Sequence, residues 1–225
     1  MVRFMQDAAE NSPYQRELTQ WICSQLPRAQ HVCDAGCGLG FLSLELADRF
    51  PEVTAADVSQ QALAVLRANA AAWGLTEIHI LQTDMMHYTP PEPFDAMVFC
   101  LFGQMDEVLH IAKRCCKGTV VVVKKAFTHH RFSVSSVPLR HETTDQAAAY
   151  LRARGIGFEL ETRTFEMGQP LRSVDEAVRF FETYSKDAPG ALTREAVEKR
   201  LIRTQDETFP FYLPQEKSLG RFTLN

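Results

Sequence analysis

Val32-Cys33-Asp34-Ala35-Gly36-Cys37-Gly38-Leu39-Gly40 is the stretch on which the fold turns. An apolar run ends in an acid, and three glycines follow at alternate positions. His31 to Asp34 predicts a short buried strand, and Leu42 to Phe50 has helical periodicity. The glycines let the backbone turn tightly with no Cβ in the way. The helix that follows offers its first amides to the space above the strand end, which is where open parallel sheets bind ligands.

On both sides of this turn, strand and helix patterns alternate. Tyr14, Leu18, Trp21, Ile22 and Leu26 fall on one helical face that Pro27 stops. Val53 to Asp57 predicts a second strand, with Ser59 as cap for a helix over Gln60 to Trp73 that Gly74 ends. Ile78 to Gln82 and Phe94 to Phe99 are the third and fourth strands, and a helix follows from Asp106 to Cys116. Thr119 to Val123 is wholly apolar and so belongs in the middle of a sheet.

A helix over Thr144 to Arg154 and a strand over Phe158 to Phe165 complete an α/β fold, a mostly parallel sheet with helices on both faces. Residues 1–225 then form one domain, with a helical cap over 1–30. The region 168–206, with helices at Val174 to Tyr184 and Thr193 to Ile202, is a helical insertion and a candidate substrate lid. Pro210 to Pro214 and Leu219 to Leu224 close the chain in extended form.

Composition excludes several classes. Of 225 residues, 45% are hydrophobic and 23% charged, as in a protein that buries a core rather than a disordered one. Lys and Arg number 24 against 28 Asp and Glu, so the net charge is −4 and a broad nucleic-acid-gripping face is not expected. The longest uncharged runs, such as Ala96 to Met105, hold ten residues, where a membrane span needs about 20. Arg3, Asp7 and Glu10 break any signal-peptide core. Six cysteines in mostly apolar surroundings suit free thiols in a reducing, cytoplasmic setting, and no metal site is expected from them.

Further acids fall at the strand ends. Asp57 ends the second strand, 17 residues beyond Gly40, where a carboxylate can accept both hydroxyls of a ribose. Asp84-Met85 ends the third, where an acid can accept from an adenine amino group, and Phe94-Asp95 opens the fourth. This order of residues resembles the class I S-adenosylmethionine-dependent methyltransferases over Val32 to Val123. The resemblance implies a seven-stranded sheet whose last strand runs antiparallel to the rest. It also implies S-adenosylmethionine as cofactor, held by Asp34, Gly36, Cys37, Gly38, Asp57, Val58, Asp84, Met85 and Cys100.

A nicotinamide-binding domain is the nearest rival. Its G-x-G-x-x-G pattern, begun at Gly36, needs glycine where Phe41 stands, and begun at Gly38 it meets Ser43. Asp34 would also repel a pyrophosphate and attract a cationic sulfonium.

Methyl transfer from a sulfonium asks mainly for orientation and a dry pocket, so no catalytic triad is required, and no catalytic residue is assigned. The segment that faces the methyl in resembling enzymes reads Cys100-Leu101-Phe102-Gly103-Gln104 here, without the Asn/Asp-Pro-Pro-aromatic signature of amino-group methylation on bases or glutamine. Phe102 and Gln104 are candidate substrate contacts, or a packing residue and a helix start. Tyr14, with Phe4 and Met5, could close over the site or simply pack. Phe181 and Tyr184 are candidate lid contacts, with a core stripe as the alternative, and His129-His130 is a solvated pair or a base. A small-molecule acceptor is the expectation. An RNA or protein acceptor, or a non-catalytic cofactor-binding module, is the alternative.

Overall fold

Val32, Cys33 and Ala35 are fully buried because β1 (His31–Ala35) runs between two parallel neighbours, β2 (Glu52–Asp57) and β4 (Phe94–Cys100). The computed structural model describes every residue except 1, 76, 130, 131, 134–136, 139, 189, 190 and 225. β3 (Ile78–Gln82) lies parallel beside β2, and β5 (Cys116–Lys125) parallel beside β4. β10 (Glu216–Leu224) then runs antiparallel to β5, and β6 (Glu159–Glu166) closes the far edge. The order is β3-β2-β1-β4-β5-β10-β6, so the strand sequence reverses beside β1. A crevice at such a reversal, outside the carboxyl ends of the strands, is where this sheet type binds ligands.

Alternation along the strands builds two cores. Cys33, Ala35, Ala56, Met97, Phe99, Val120 and Val122 meet α5 (Met105–Cys115) and α6 (Thr144–Ala153) on one face. On the other, Ala55 packs with Leu44 of α3 (Phe41–Ala47) and with Leu63, Leu66 and Ala70 of α4 (Gln60–Ala72). Ser59 caps α4 through its hydroxyl, which accepts from the Ala62 N–H at 3.2 Å. α2 (Tyr14–Cys23) is tied to this layer by Arg221, whose guanidinium donates to the Trp21 carbonyl and to Glu161.

The chain divides into two compact units. The larger holds residues 15–126, 142–163 and 219–225 and contains most of the seven-stranded sheet. The smaller holds 1–14, 127–141 and 164–218. Its α1 (Val2–Glu10) is anchored by Asp7, whose two carboxylate oxygens accept from Arg172 at 2.7 and 2.8 Å. The stretch expected as one N-terminal cap therefore contributes α1 to one unit and nearly all of α2 to the other.

The insertion is not helical throughout. Strands β7 (Gln169–Leu171), β8 (Ile202–Arg203) and β9 (Phe211–Leu213) form a separate three-stranded sheet, with β9 central and antiparallel to both. α7 (Val174–Tyr184) matches the predicted helix, whereas α8 (Arg194–Glu198) is only five residues long. The predicted helix to Ile202 stops early because Ile202 and Arg203 pair with Tyr212 and Phe211 instead. No helix among the described residues is long and apolar enough to cross a membrane.

Candidate cofactor site at the carboxyl edge of the sheet

The glycine turn is pinned to the neighbouring strand. The N–H groups of Gly36 and Cys37 both donate to the Ala56 carbonyl, at 2.8 and 3.0 Å. Gly36 and Gly38 have φ of 74° and 56°, a region that a side chain enters only at a cost. At Gly36 space is also at issue, because an added Cβ would overlap the Phe102 ring. At Gly38 nothing lies within 4 Å of an added Cβ, so its face of the turn is open to a ligand.

Asp57 organises this opening. Its Oδ2 accepts from the Gly38 N–H at 2.9 Å, and its Oδ1 accepts from the Ser59 N–H at 2.8 Å. A carboxylate oxygen has two lone-pair sites, so both oxygens keep one for another donor. An open glycine face beside a fixed carboxylate fits a ribose diol. Val58, next to Asp57, is 63% exposed and offers an apolar surface at the same edge.

Asp34 stands at the end of β1, as expected, but is buried. It is 1% exposed, and its Oδ2 accepts from the Ser43 hydroxyl at 2.6 Å, tying β1 to α3. Burial first, and Asp57 further, push its carboxyl up to about 6, against the Ser43 bond that lowers it. Its visible work is therefore inside the loop. Cys37 is pushed up by burial and then by Asp34 and Asp57, so it stands as a neutral thiol rather than a nucleophile.

At the end of β3, Asp84 is exposed and its Oδ1 accepts from the Met86 N–H at 2.9 Å. The Met85 side chain, by contrast, is buried in the core, which leaves only its backbone for a ligand. Beyond β4, Cys100 is half-buried and Leu101 has a φ of 59°, a sparsely populated conformation for a residue with a side chain. Phe102 packs across the Gly36 turn, so the post-β4 segment and the glycine turn meet. Gln104 is exposed at the start of α5, with its N–H donating to Glu107 at 2.7 Å.

Residues 32–119 match the family model described as "Methyltransferase domain". That stretch of the chain is similar to a methyltransferase domain. A coclaurine N-methyltransferase solved with S-adenosylhomocysteine superposes with a TM-score of 0.55 at 13% identity, over 94% of this chain and 72% of that one. Over 91 residues the chain is 34% identical to YqeM of Bacillus subtilis (strain 168), provisionally named a methyltransferase, covering 40% of this chain and 36% of that protein. Over 85 residues it is 34% identical to a tRNA1(Val) (adenine(37)-N6)-methyltransferase of Vibrio cholerae, covering 36% of this chain and 34% of that one. It thus spans about a third of the length of the curated relatives it matches. Among solved structures, precorrin 8W decarboxylase of Methanobacterium thermoautotrophicum superposes with a TM-score of 0.57 at 18% identity, over 93% of this chain and 89% of that one. That likeness speaks to the fold.

Sequence reasoning missed the cation that holds the loop beyond β4. Lys124, 3% exposed near the end of β5, donates to the Gly103 carbonyl at 2.6 Å and pairs with Glu142 at 2.9 Å. The same Glu142 oxygen accepts from the Met105 N–H at 2.9 Å. A lysine directly after an all-valine strand segment was the available signal.

Tyr14, Phe181 and Tyr184 belong to the smaller unit. Tyr14 is buried, its ring edge-on to Phe165 and its hydroxyl accepting from Lys217 at 2.9 Å. Phe181 lies in the core of that unit with Leu171, Phe180 and Leu213, and Tyr184 packs against it. Both side chains serve that packing. Phe4 joins the same core through Phe180, while Met5 is exposed. His129 is exposed, and its predicted partner His130 lies outside the described residues.

Proposed function

We propose that this chain transfers a methyl group from S-adenosylmethionine to a small-molecule acceptor by in-line displacement. The observation that carries the reading is the Asp57 carboxylate, fixed by the Gly38 and Ser59 amides beside an open glycine face. When bound, the cofactor supplies a methyl already activated by a positively charged sulfur.

The protein's own residues then orient and enclose. Asp57 receives the ribose hydroxyls, and the Gly38 face admits the chain beyond the ribose. Asp84 accepts from the adenine amino group, with Val58 against the ring. The segment Cys100–Gln104, fastened through Gly103 to Lys124, keeps water from the reacting atoms and presents Phe102 and Gln104 to the acceptor. Orientation of this kind accounts for much of the rate where the donor is already activated.

The small-molecule reading draws on the charge of −4 and on the absence of an Asn/Asp-Pro-Pro-aromatic signature after β4. A tRNA acceptor is the second reading, favoured by the Vibrio cholerae relative. The lid role of residues 168–206 is carried in the same proposal, on their place in the chain between β6 and β10.

Calorimetric titration with S-adenosylhomocysteine, with NAD as control, tests the cofactor. Saturable binding of the first alone is expected, and binding of NAD alone overturns the reading. Labelled methyl transfer to a small-molecule extract, against transfer to bulk tRNA, separates the two acceptor classes.

A further inference from the structure

The loop that carries Asp84 is held from behind by one arginine. Arg114, in the last turn of α5, donates from Nε to the Tyr88 carbonyl at 2.8 Å. Its Nη2 donates to the carbonyls of Met85 at 2.7 Å and Met86 at 3.1 Å. Nη1 lies 3.0 Å from His110 Nε2, one helical turn back. Three of the loop's carbonyls thus converge on one guanidinium. The Tyr88 carbonyl also accepts from the Cys115 thiol at 3.4 Å.

The fork geometry matters. A guanidinium presents planar donors in a fixed arrangement, whereas an ammonium is a single point of charge on a flexible stem. Held this way, the Met85 and Met86 peptides cannot rotate. The Met86 N–H thus keeps pointing at Asp84 Oδ1, which accepts from it at 2.9 Å, while His87 Nε2 lies 3.8 Å from Oδ2. The loop's own hydrogen bonds, from the His87 and Tyr88 N–H groups to the Asp84 carbonyl at 3.0 Å, close the turn but do not orient this side chain.

The geometry points to Arg114 as a positioning residue for base discrimination: by clamping the carbonyls of residues 85, 86 and 88 it fixes Asp84 to accept from a 6-amino purine and to reject a 6-oxo purine. This rests on the proposed cofactor reading of the site. A 6-oxo group brings an acceptor against the carboxylate, and the penalty for that mismatch exists only while the carboxylate cannot swing away.

The test compares S-adenosylhomocysteine with S-inosylhomocysteine by calorimetry on the wild-type chain, Arg114→Met and Arg114→Lys. The wild type is expected to prefer the adenine form by more than tenfold. Arg114→Met should bring the two affinities to within about threefold, with Arg114→Lys between, as expected when one charge-assisted anchor is lost. If both ligands weaken by the same factor and the ratio stands, Arg114 is only a packing residue and the assignment falls. An unchanged ratio with unchanged affinities overturns it too.

The double variant Asp84→Asn/Arg114→Met gives an independent reading. If Arg114 acts through Asp84, its substitution changes the ratio little once Asp84 is replaced, and full additivity contradicts the assignment. A wild type that binds neither ligand sinks the cofactor reading itself, and the Arg114 assignment with it. A wild type that binds both equally leaves the cofactor reading standing and removes the assignment alone.

Discussion

The ring of Phe102 occupies the space that a side chain at Gly36 would need. One residue follows β4 and the other follows β1, and they meet where the strand order reverses. The glycine is required here for room as well as for its positive φ.

Gly36→Ala should therefore weaken S-adenosylhomocysteine binding at least tenfold, through the overlap and through a left-handed backbone that costs about 1 kcal/mol for alanine. Phe102→Ala alone should leave cofactor affinity within a few-fold. The double variant should regain part of the loss, because the overlap is gone and only the backbone cost remains. Calorimetry on the three variants checks this, and no recovery in the double variant would assign the loss to the backbone alone.

Asp57→Ala removes the acceptor of two backbone N–H groups, those of Gly38 and Ser59, together with the free lone pairs offered to a ribose. Loss of a charged hydrogen-bond acceptor costs about 2 kcal/mol in affinity, or roughly thirtyfold. Far-ultraviolet circular dichroism should be unchanged while the titration weakens.

Asp34 makes stability depend on pH. Its carboxyl is raised from the ordinary 3.8 to about 6, chiefly by burial. Between those values the folded protein keeps a proton that the unfolded chain has lost. This contribution is fully present below pH 3.8 and is lost as pH rises through about 6. A shift of this size corresponds to about 3 kcal/mol. Urea denaturation at intervals from pH 4 to 7 should show wild type losing stability relative to Asp34→Asn across that window. A parallel pair of curves would contradict the placement of the carboxyl.

Lys124→Met should be destabilising by about 3 kcal/mol or more, because Glu142 would be left with its charge poorly compensated in a mostly buried setting. Adding Glu142→Gln should recover part of that loss, since no unpaired charge then remains. Chemical denaturation of the single and double variants measures this coupling directly.

Much of the architecture was legible in the chain. β1 and β2 could be placed because each is a short apolar run ending in an acid, and β4 and β5 because Ala96 to Phe99 and Thr119 to Val123 are uncharged apolar runs, and these are local features. Asp57 and Gly38 could be paired as neighbours because consecutive strands of a parallel sheet bring their carboxyl ends to one edge. The nearness of Phe102 to the glycine turn was legible for the same reason, though its contact with Gly36 was not.

The insertion was less legible. Its three-stranded sheet is made of segments only two or three residues long, too short to show a period of two, and their pairing spans some 40 residues of chain between β7 and β9. The local pattern carries a helix on to Ile202 because nothing nearby in the chain shows that Tyr212 will pair with it. Phe181 and Tyr184 carry the same apolar stripe whether they face a ligand or a core, and only the structure shows Phe181 buried with Leu171 and Leu213.

Sequence by itself determined the sheet, the glycine turn and the two acids at the strand ends, because turn conformation, strand burial and helix capping are written in neighbouring residues. Only the tertiary structure decided that Asp34 turns inward to Ser43, that Lys124 holds the loop beyond β4, and that Arg114 holds the loop beyond β3. The Lys124 and Arg114 contacts join side chains to backbone carbonyls 21 and 29 residues away. A carbonyl is present at every position, so no residue type marks the one that a distant cation will find.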